Sequence, residues 1–171
     1  MGQKVAIVTG ASSGIGTAIV LRLASDGFLV MAAGRNETRT EQLRDHGDNI
    51  QTWTGDITFP EKCAELIASC IHSFGRLDLL VNNAGIYEAA DAEHTTDKNW
   101  SETIATNLSA PFYLSREAMP HLRETKGVIL NIASDWGLVG GKNAVSYCAS
   151  KGGIVLMGKA MALDHANEGV R

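Results

Sequence analysis

Apolar runs and amphipathic stretches alternate along the whole chain. Five short continuous apolar runs stand out, at Val5–Thr9, 28–33, Ile50–Thr54, 77–81 and 128–133. Runs of that length without polar alternation are what strands buried on both faces require. Between and after them lie amphipathic stretches at Gly14–Ser25, 37–46, 61–73, 97–124 and 144–167. Most are long enough to return the chain across a sheet. Strand and helix in repeated alternation predict an α/β fold, a doubly wound parallel sheet flanked by helices. No repeat, low-complexity segment or linker interrupts the pattern, so residues 1–171 read as a single domain.

The punctuation agrees with this pattern. Gly27 and Gly75 fall where helices should stop in the left-handed conformation. Thr58 and Glu61 have capping-box spacing, Pro60 suits a first helical turn, and Thr96 can cap the next helix. Pro111 and Pro120 predict a kink, or two helices, within 97–124.

Composition narrows the function classes. The chain is 44% hydrophobic and 20% charged, with a net charge of −4. That balance argues for a packed core and gives no basic footprint for nucleic acid. No apolar run approaches a membrane span, and the first ten residues enter a strand without a signal-peptide pattern. Three cysteines outside CxxC spacing fit reduced thiols, so a cytoplasmic location is expected. The five histidines show no ligand spacing, and no metal site is expected.

Two clusters carry chemistry. Gly10, Gly14 and Gly16 fall between the first strand and the first helix, in the turn TGASSGIG. Glycines there permit a tight turn and let the backbone approach a pyrophosphate, whose charge the helix N-terminus favours. The same turn would also serve a close strand–helix contact, but its strand–turn–helix setting favours the phosphate reading. The second cluster is Tyr147 and Lys151, four apart on one helical face, with Ser134 ending the preceding strand. An ammonium beside a phenol favours the phenolate, which suits acid/base work on a hydroxyl or carbonyl. Singly, each residue has a plain structural reading as a turn hydroxyl, an amphipathic aromatic or a solvated charge. Jointly, at these offsets behind a phosphate turn, they read as a catalytic group.

TGASSGIG at 9–16, NNAG at 82–85, Asn107, Ser134 and YCASK at 147–151 together resemble the short-chain dehydrogenase/reductase family, end to end. The resemblance implies a Rossmann-like fold and hydride transfer between a nicotinamide cofactor and a carbonyl or alcohol. On that resemblance Ser12, Ser13 and Ile15 line the phosphates, Asp56 and Ile57 meet the adenine, and Asn83, Ala84 and Gly85 pass beside the cofactor. Tyr147 then exchanges the substrate proton, Ser134 orients the substrate oxygen, Lys151 holds the nicotinamide ribose, and Asn107 belongs to a proton relay. Pro111, four residues beyond Asn107, has no N–H to donate to its carbonyl. Trp136 either walls the substrate space or packs within its loop.

The second strand closes as Ala32-Ala33-Gly34-Arg35-Asn36, without an acidic residue at its tip. A carboxylate there reads NAD; an arginine suits the 2′-phosphate of NADP. NADP(H) is therefore expected, with NAD(H) as the alternative. A homodimer or homotetramer is expected by resemblance, through helices 97–124 and 144–167. The chain ends EGVR where the family continues with further strands, so the last strands are expected to be missing and 128–133 to form an exposed apolar edge. A dinucleotide-binding fragment without turnover, serving as sensor, scaffold or assembly subunit, is the competing reading.

Overall fold

A computed structural model describes residues 2–171. Its centre is a five-stranded parallel sheet: β1 (Val5–Thr9), β2 (Leu29–Gly34), β3 (Ile50–Thr54), β4 (Leu79–Asn82) and β5 (Val128–Asn131). The strands lie in the order β3-β2-β1-β4-β5, the expected doubly wound arrangement. Val5 pairs with Leu29, and Ile7 faces Met31 on β2 and Leu80 on β4. Every residue of β1 is buried, as a central strand covered on both faces must be.

Alternate residues of each strand serve opposite faces. Val5, Ile7, Met31, Ala33 and Leu80 pack with α3 (Pro60–Phe74) and α5 (Ala110–Thr125). Val8, Val30, Ala32 and Val81 pack instead with α1 (Gly14–Ser25). The remaining helices are α2 (Glu37–Glu41), α4 (Asp97–Ile104) and α6 (Val145–His165).

Local chemistry sets most of the boundaries. Gly27 and Gly75 take the left-handed conformation after α1 and α3, and Thr96 caps α4 by accepting from Asn99 N at 3.0 Å. Thr58 does not cap α3; Phe59 holds that position, while the Thr58 hydroxyl donates to Asp56 Oδ1 at 2.8 Å. The short Asx-type turn at Asp56 outcompetes the capping box. Stretch 37–46 divides into α2 and a 3₁₀ segment, Gln42–His46.

Stretch 97–124 breaks once, at a π-helical turn spanning Ala105–Ser109 that joins α4 to α5. Pro111 explains the position: its ring would clash with the carbonyl of Asn107, and a widened turn relieves that crowding. Pro120 is accommodated within α5 without ending it.

β5 is the outer strand, as expected, and its Leu130 is exposed. Its beginning is covered by Arg171, whose N–H donates to Gly127 O at 3.1 Å and whose carbonyl accepts from Ile129 N at 2.8 Å.

Candidate active site

Strand order reverses between β1 and β4, and the carboxyl ends of those strands open a cleft of about 530 Å³. This is the topological switch point at which doubly wound sheets bind ligands. Gly10, Ser12, Ser13, Gly14, Ile15, Gly16, Arg35, Asp56, Ile57, Asn83, Ala84 and Gly85 all line it.

Close backbone approach explains the glycines. A Cβ on Gly16 would stand 2.0 Å from the Gly10 carbonyl oxygen, and one on Gly10 would stand 2.8 Å from Ala84 Cα. Gly10 and Gly14 also have positive φ, +65° and +51°. The Asn83 amide clamps the turn, donating to Thr9 O at 2.9 Å and to Gly10 O at 3.3 Å. Thr9 Oγ1 in turn accepts from Asn83 N and Ala84 N, both at 3.1 Å. The helix that starts here has no side-chain cap at Ser13, so its first amides face the cleft with the positive end of the dipole behind them. An anionic diphosphate fits that environment.

Asp56 spends one carboxylate oxygen on Thr58, accepting from its N–H at 3.0 Å and from its hydroxyl. Arg35 and Asn36 stand exposed at the rim after β2. A Cβ on Gly34 would lie 2.5 Å from Thr40 Oγ1, so the β2 tip is closed to a side chain at that position.

Tyr147 and Lys151 occupy the first two turns of α6. The Lys151 ammonium lies 5.6 Å from the Tyr147 ring centre and donates to Ile132 O at 2.6 Å. Lys151 is buried, and burial pulls its pKa below the ordinary 10.5. Ser134 follows Ile132 by two residues and caps a short 3₁₀ turn, Asp135–Gly137. Its hydroxyl donates to Asp135 Oδ1 at 2.9 Å and accepts from Trp136 N at 3.2 Å, so it is engaged within its own turn rather than with Tyr147. That turn presses on α6: a Cβ on Gly137 would lie 2.6 Å from Lys151 O.

Asn107 sits in the middle of the π turn, fully buried. Its side chain pairs twice with the Ile86 backbone, accepting from N at 2.8 Å and donating to O at 2.9 Å. It also donates to Ser150 Oγ at 3.1 Å, and Ser150 donates to Tyr147 O at 2.8 Å. The segment after β4 is thus tied through Asn107 to the helix carrying Tyr147 and Lys151. A Cβ on Gly85 would meet Asn107 Oδ1 at 3.5 Å and Lys151 Nζ at 3.7 Å, which places the two groups around one point beside the cleft.

Thr9, Ser150 and Thr106 are site residues that the sequence reading does not single out. A signal for Ser150 exists: Ser146 and Ser150 are four apart on a largely apolar helix. They bond Asn99 and Asn107 respectively, which are eight apart on the facing segment. Among the described residues no group of three or more His, Cys, Asp or Glu is placed to hold a metal ion, and no helix is long and apolar enough to cross a membrane.

Known proteins resemble this chain in sequence and in fold. The family model described as short chain dehydrogenase matches residues 4–171. An L-fucose dehydrogenase of Mus musculus is 36% identical over 169 residues, covering 98% of this chain and 62% of its own length. A 3beta-hydroxysteroid dehydrogenase of Mediterraneibacter gnavus is 35% identical over 173 residues, covering 98% and 63%. The crystal structure of a short-chain dehydrogenase from Streptomyces avermitilis superposes with a TM-score of 0.96 at 29% identity, covering 100% of this chain and 64% of that one. The chain therefore spans a little under two thirds of the length of these relatives.

Proposed function

This chain belongs to the short-chain dehydrogenase family, and from that premise we propose that it binds NADP(H) in the β1–β4 cleft and moves a hydride to or from a carbonyl or alcohol at Tyr147. The observation that carries the reading is the pairing of an uncapped helix N-terminus, seated on a turn with no room for a Cβ at Gly16, with a Tyr147–Lys151 pair beside the same crevice.

Ser12, Ser13, Gly14 and Ile15 present backbone amides and hydroxyls to the diphosphate. Asp56 and Ile57 flank the adenine, and Asn83, Ala84 and Gly85 run along the cofactor towards Lys151. Arg35 faces the adenosine ribose, where a guanidinium pairs with a 2′-phosphate through charge-assisted bonds. The bound cofactor supplies or accepts the hydride. Tyr147 gives its phenolic proton to the substrate oxygen in reduction and takes it back in oxidation. Lys151, desolvated and donating to Ile132 O, has further N–H bonds to offer the ribose hydroxyls. Ser134 reorients from Asp135 to the substrate oxygen, and Asn107 fixes Ile86 and, through Ser150, the start of α6. Apolar residues exposed on α5 and α6, Phe112, Leu156 and Leu163 among them, support association into a homo-oligomer.

Nicotinamide fluorescence titration tests binding and cofactor choice together. The expected result is tighter binding of NADPH than NADH, with Arg35→Ala weakening NADPH by about 10- to 100-fold, the worth of one charge-assisted hydrogen bond. Hydride consumption is then followed with carbonyl compounds for wild type and Tyr147→Phe. Binding with equal turnover in both removes Tyr147 from the mechanism; binding without turnover in either leaves a dinucleotide-binding module.

A further inference from the structure

Of three tyrosines and three tryptophans in the chain, Tyr87, Tyr147 and Trp136 meet at one corner. Ring centres are 5.2 Å apart for Tyr87–Tyr147, 5.7 Å for Tyr87–Trp136 and 6.0 Å for Trp136–Tyr147. Interplanar angles of 66°, 70° and 86° make every pair edge-to-face, the arrangement the ring quadrupoles favour.

The two rings beside Tyr147 are fixed from behind. Tyr87 Oη donates to Asn143 O at 3.3 Å, and the same carbonyl accepts from Ala90 N at 2.9 Å. Ala90 and Ala144 pair as an isolated parallel bridge, which straps the segment after β4 to the start of α6. Gly141 lies against the indole: a Cβ there would stand 2.6 Å from Trp136 Cδ2, so only glycine lets this loop close on the ring. The Trp136 amide is held by Ser134 Oγ. Because the Tyr87 hydroxyl is spent on backbone, what the half-exposed residue offers the site is mainly ring carbon. Leu138 and Val139, on the loop after Trp136, are 75% and 63% exposed and extend the apolar surface.

We propose that Tyr87 and Trp136 set substrate specificity, seating the apolar C–H face of a ring-bearing secondary alcohol or ketone so that its oxygen reaches Tyr147. The inference rests on the reading of Tyr147 as the acid/base. A rigid aromatic wall rewards a flat, preformed ring face, whereas a flexible open chain loses rotational freedom to make the same contacts. An alicycle and the C–H face of a pyranose share this chemistry.

The test is a ligand-observed NMR titration of the chain with NADP⁺ present, using cyclohexanol, methyl α-D-glucopyranoside and 2-hexanol. At least one ring compound is expected to bind about ten-fold tighter than 2-hexanol, and Trp136→Ala or Tyr87→Ala to bring the ratio within about two-fold. Preference for cyclohexanol assigns an alicyclic substrate, and preference for the pyranoside a sugar. NADPH titration of each variant checks that the cleft is intact; where Trp136→Ala loses it, Tyr87→Leu carries the comparison. Equal binding of ring and open-chain alcohols by the wild type, or a ring preference that survives both substitutions, overturns the proposal. A wild-type chain that fails to bind NADPH overturns the dinucleotide reading instead, and this inference falls with it.

Discussion

Gly16→Ala should dismantle the phosphate seat. Its added methyl would lie 2.0 Å from Gly10 O and 2.7 Å from both Gly10 C and Asn83 Nδ2. Ordinary C···O approach is roughly 3.3 Å, so the turn and α1 must part by about 1.3 Å. Neither neighbour yields readily: Gly10 O is backbone, and the Asn83 amide is already bonded to Thr9 O and Gly10 O. Overpacking against a rigid wall costs about 1–3 kcal/mol of stability. Shifting the α1 amides also costs at least two charge-assisted diphosphate bonds, about 3 kcal/mol together, or roughly 150-fold in NADPH affinity. Gly14 supplies the contrast. Its φ is +51°, but a Cβ there meets nothing within 4 Å. Gly14→Ala therefore carries only left-handed strain, about 1–2 kcal/mol, and keeps the shape of the seat. Urea unfolding and fluorescence titration of both variants separate the two effects. Gly16→Ala binding NADPH within about three-fold of wild type, with stability retained, would refute the steric reasoning.

Asn107→Ala strands the Ile86 N–H and carbonyl and removes the amide that donates to Ser150 Oγ, and should cost about 2–4 kcal/mol in urea unfolding; a loss below about 0.5 kcal/mol would contradict the strut assigned to Asn107. Burial pushes the Cys63 and Cys70 thiols up to about 12. Iodoacetamide at mildly alkaline pH should thus modify the native chain once, at the partly exposed Cys148, and three times under denaturant, read by intact mass. Lys151 has a folded pKa below 10.5, so in the window between that lowered value and 10.5 the unfolded chain binds more protons. Wild-type stability should accordingly gain on Lys151→Met as pH rises through the window, and a constant difference between their urea midpoints would contradict a desolvated lysine.

Much of this was legible in the sequence because periodicity and glycine placement encode it locally. The runs at Val5–Thr9 and Ile50–Thr54 became strands with those limits, and the glycines at 10, 14 and 16 line the cleft. Other features depend on tertiary competition. Strand 28–33 shifted to Leu29–Gly34, because Gly34 sits where the backbone must pass Thr40 and still pairs with Thr54. Thr58 turned to Asp56 instead of capping α3, a choice between two short-range bonds that spacing alone does not rank. A break near Asn107 follows from Pro111, but that it takes the form of a π turn, while Pro120 is absorbed within α5, is not written in the local sequence. Ser150 and Tyr87 acquire their places through partners 43 and 56 residues away, beyond the reach of any local pattern.

A crystal structure of this chain with NADPH is the most direct test. The diphosphate should lie on the amides of residues 12–16, the adenine beside Asp56 and Ile57, and the nicotinamide ring between Gly85 and Tyr147. A dinucleotide bound elsewhere, or seated with its nicotinamide turned away from Tyr147, would contradict the account.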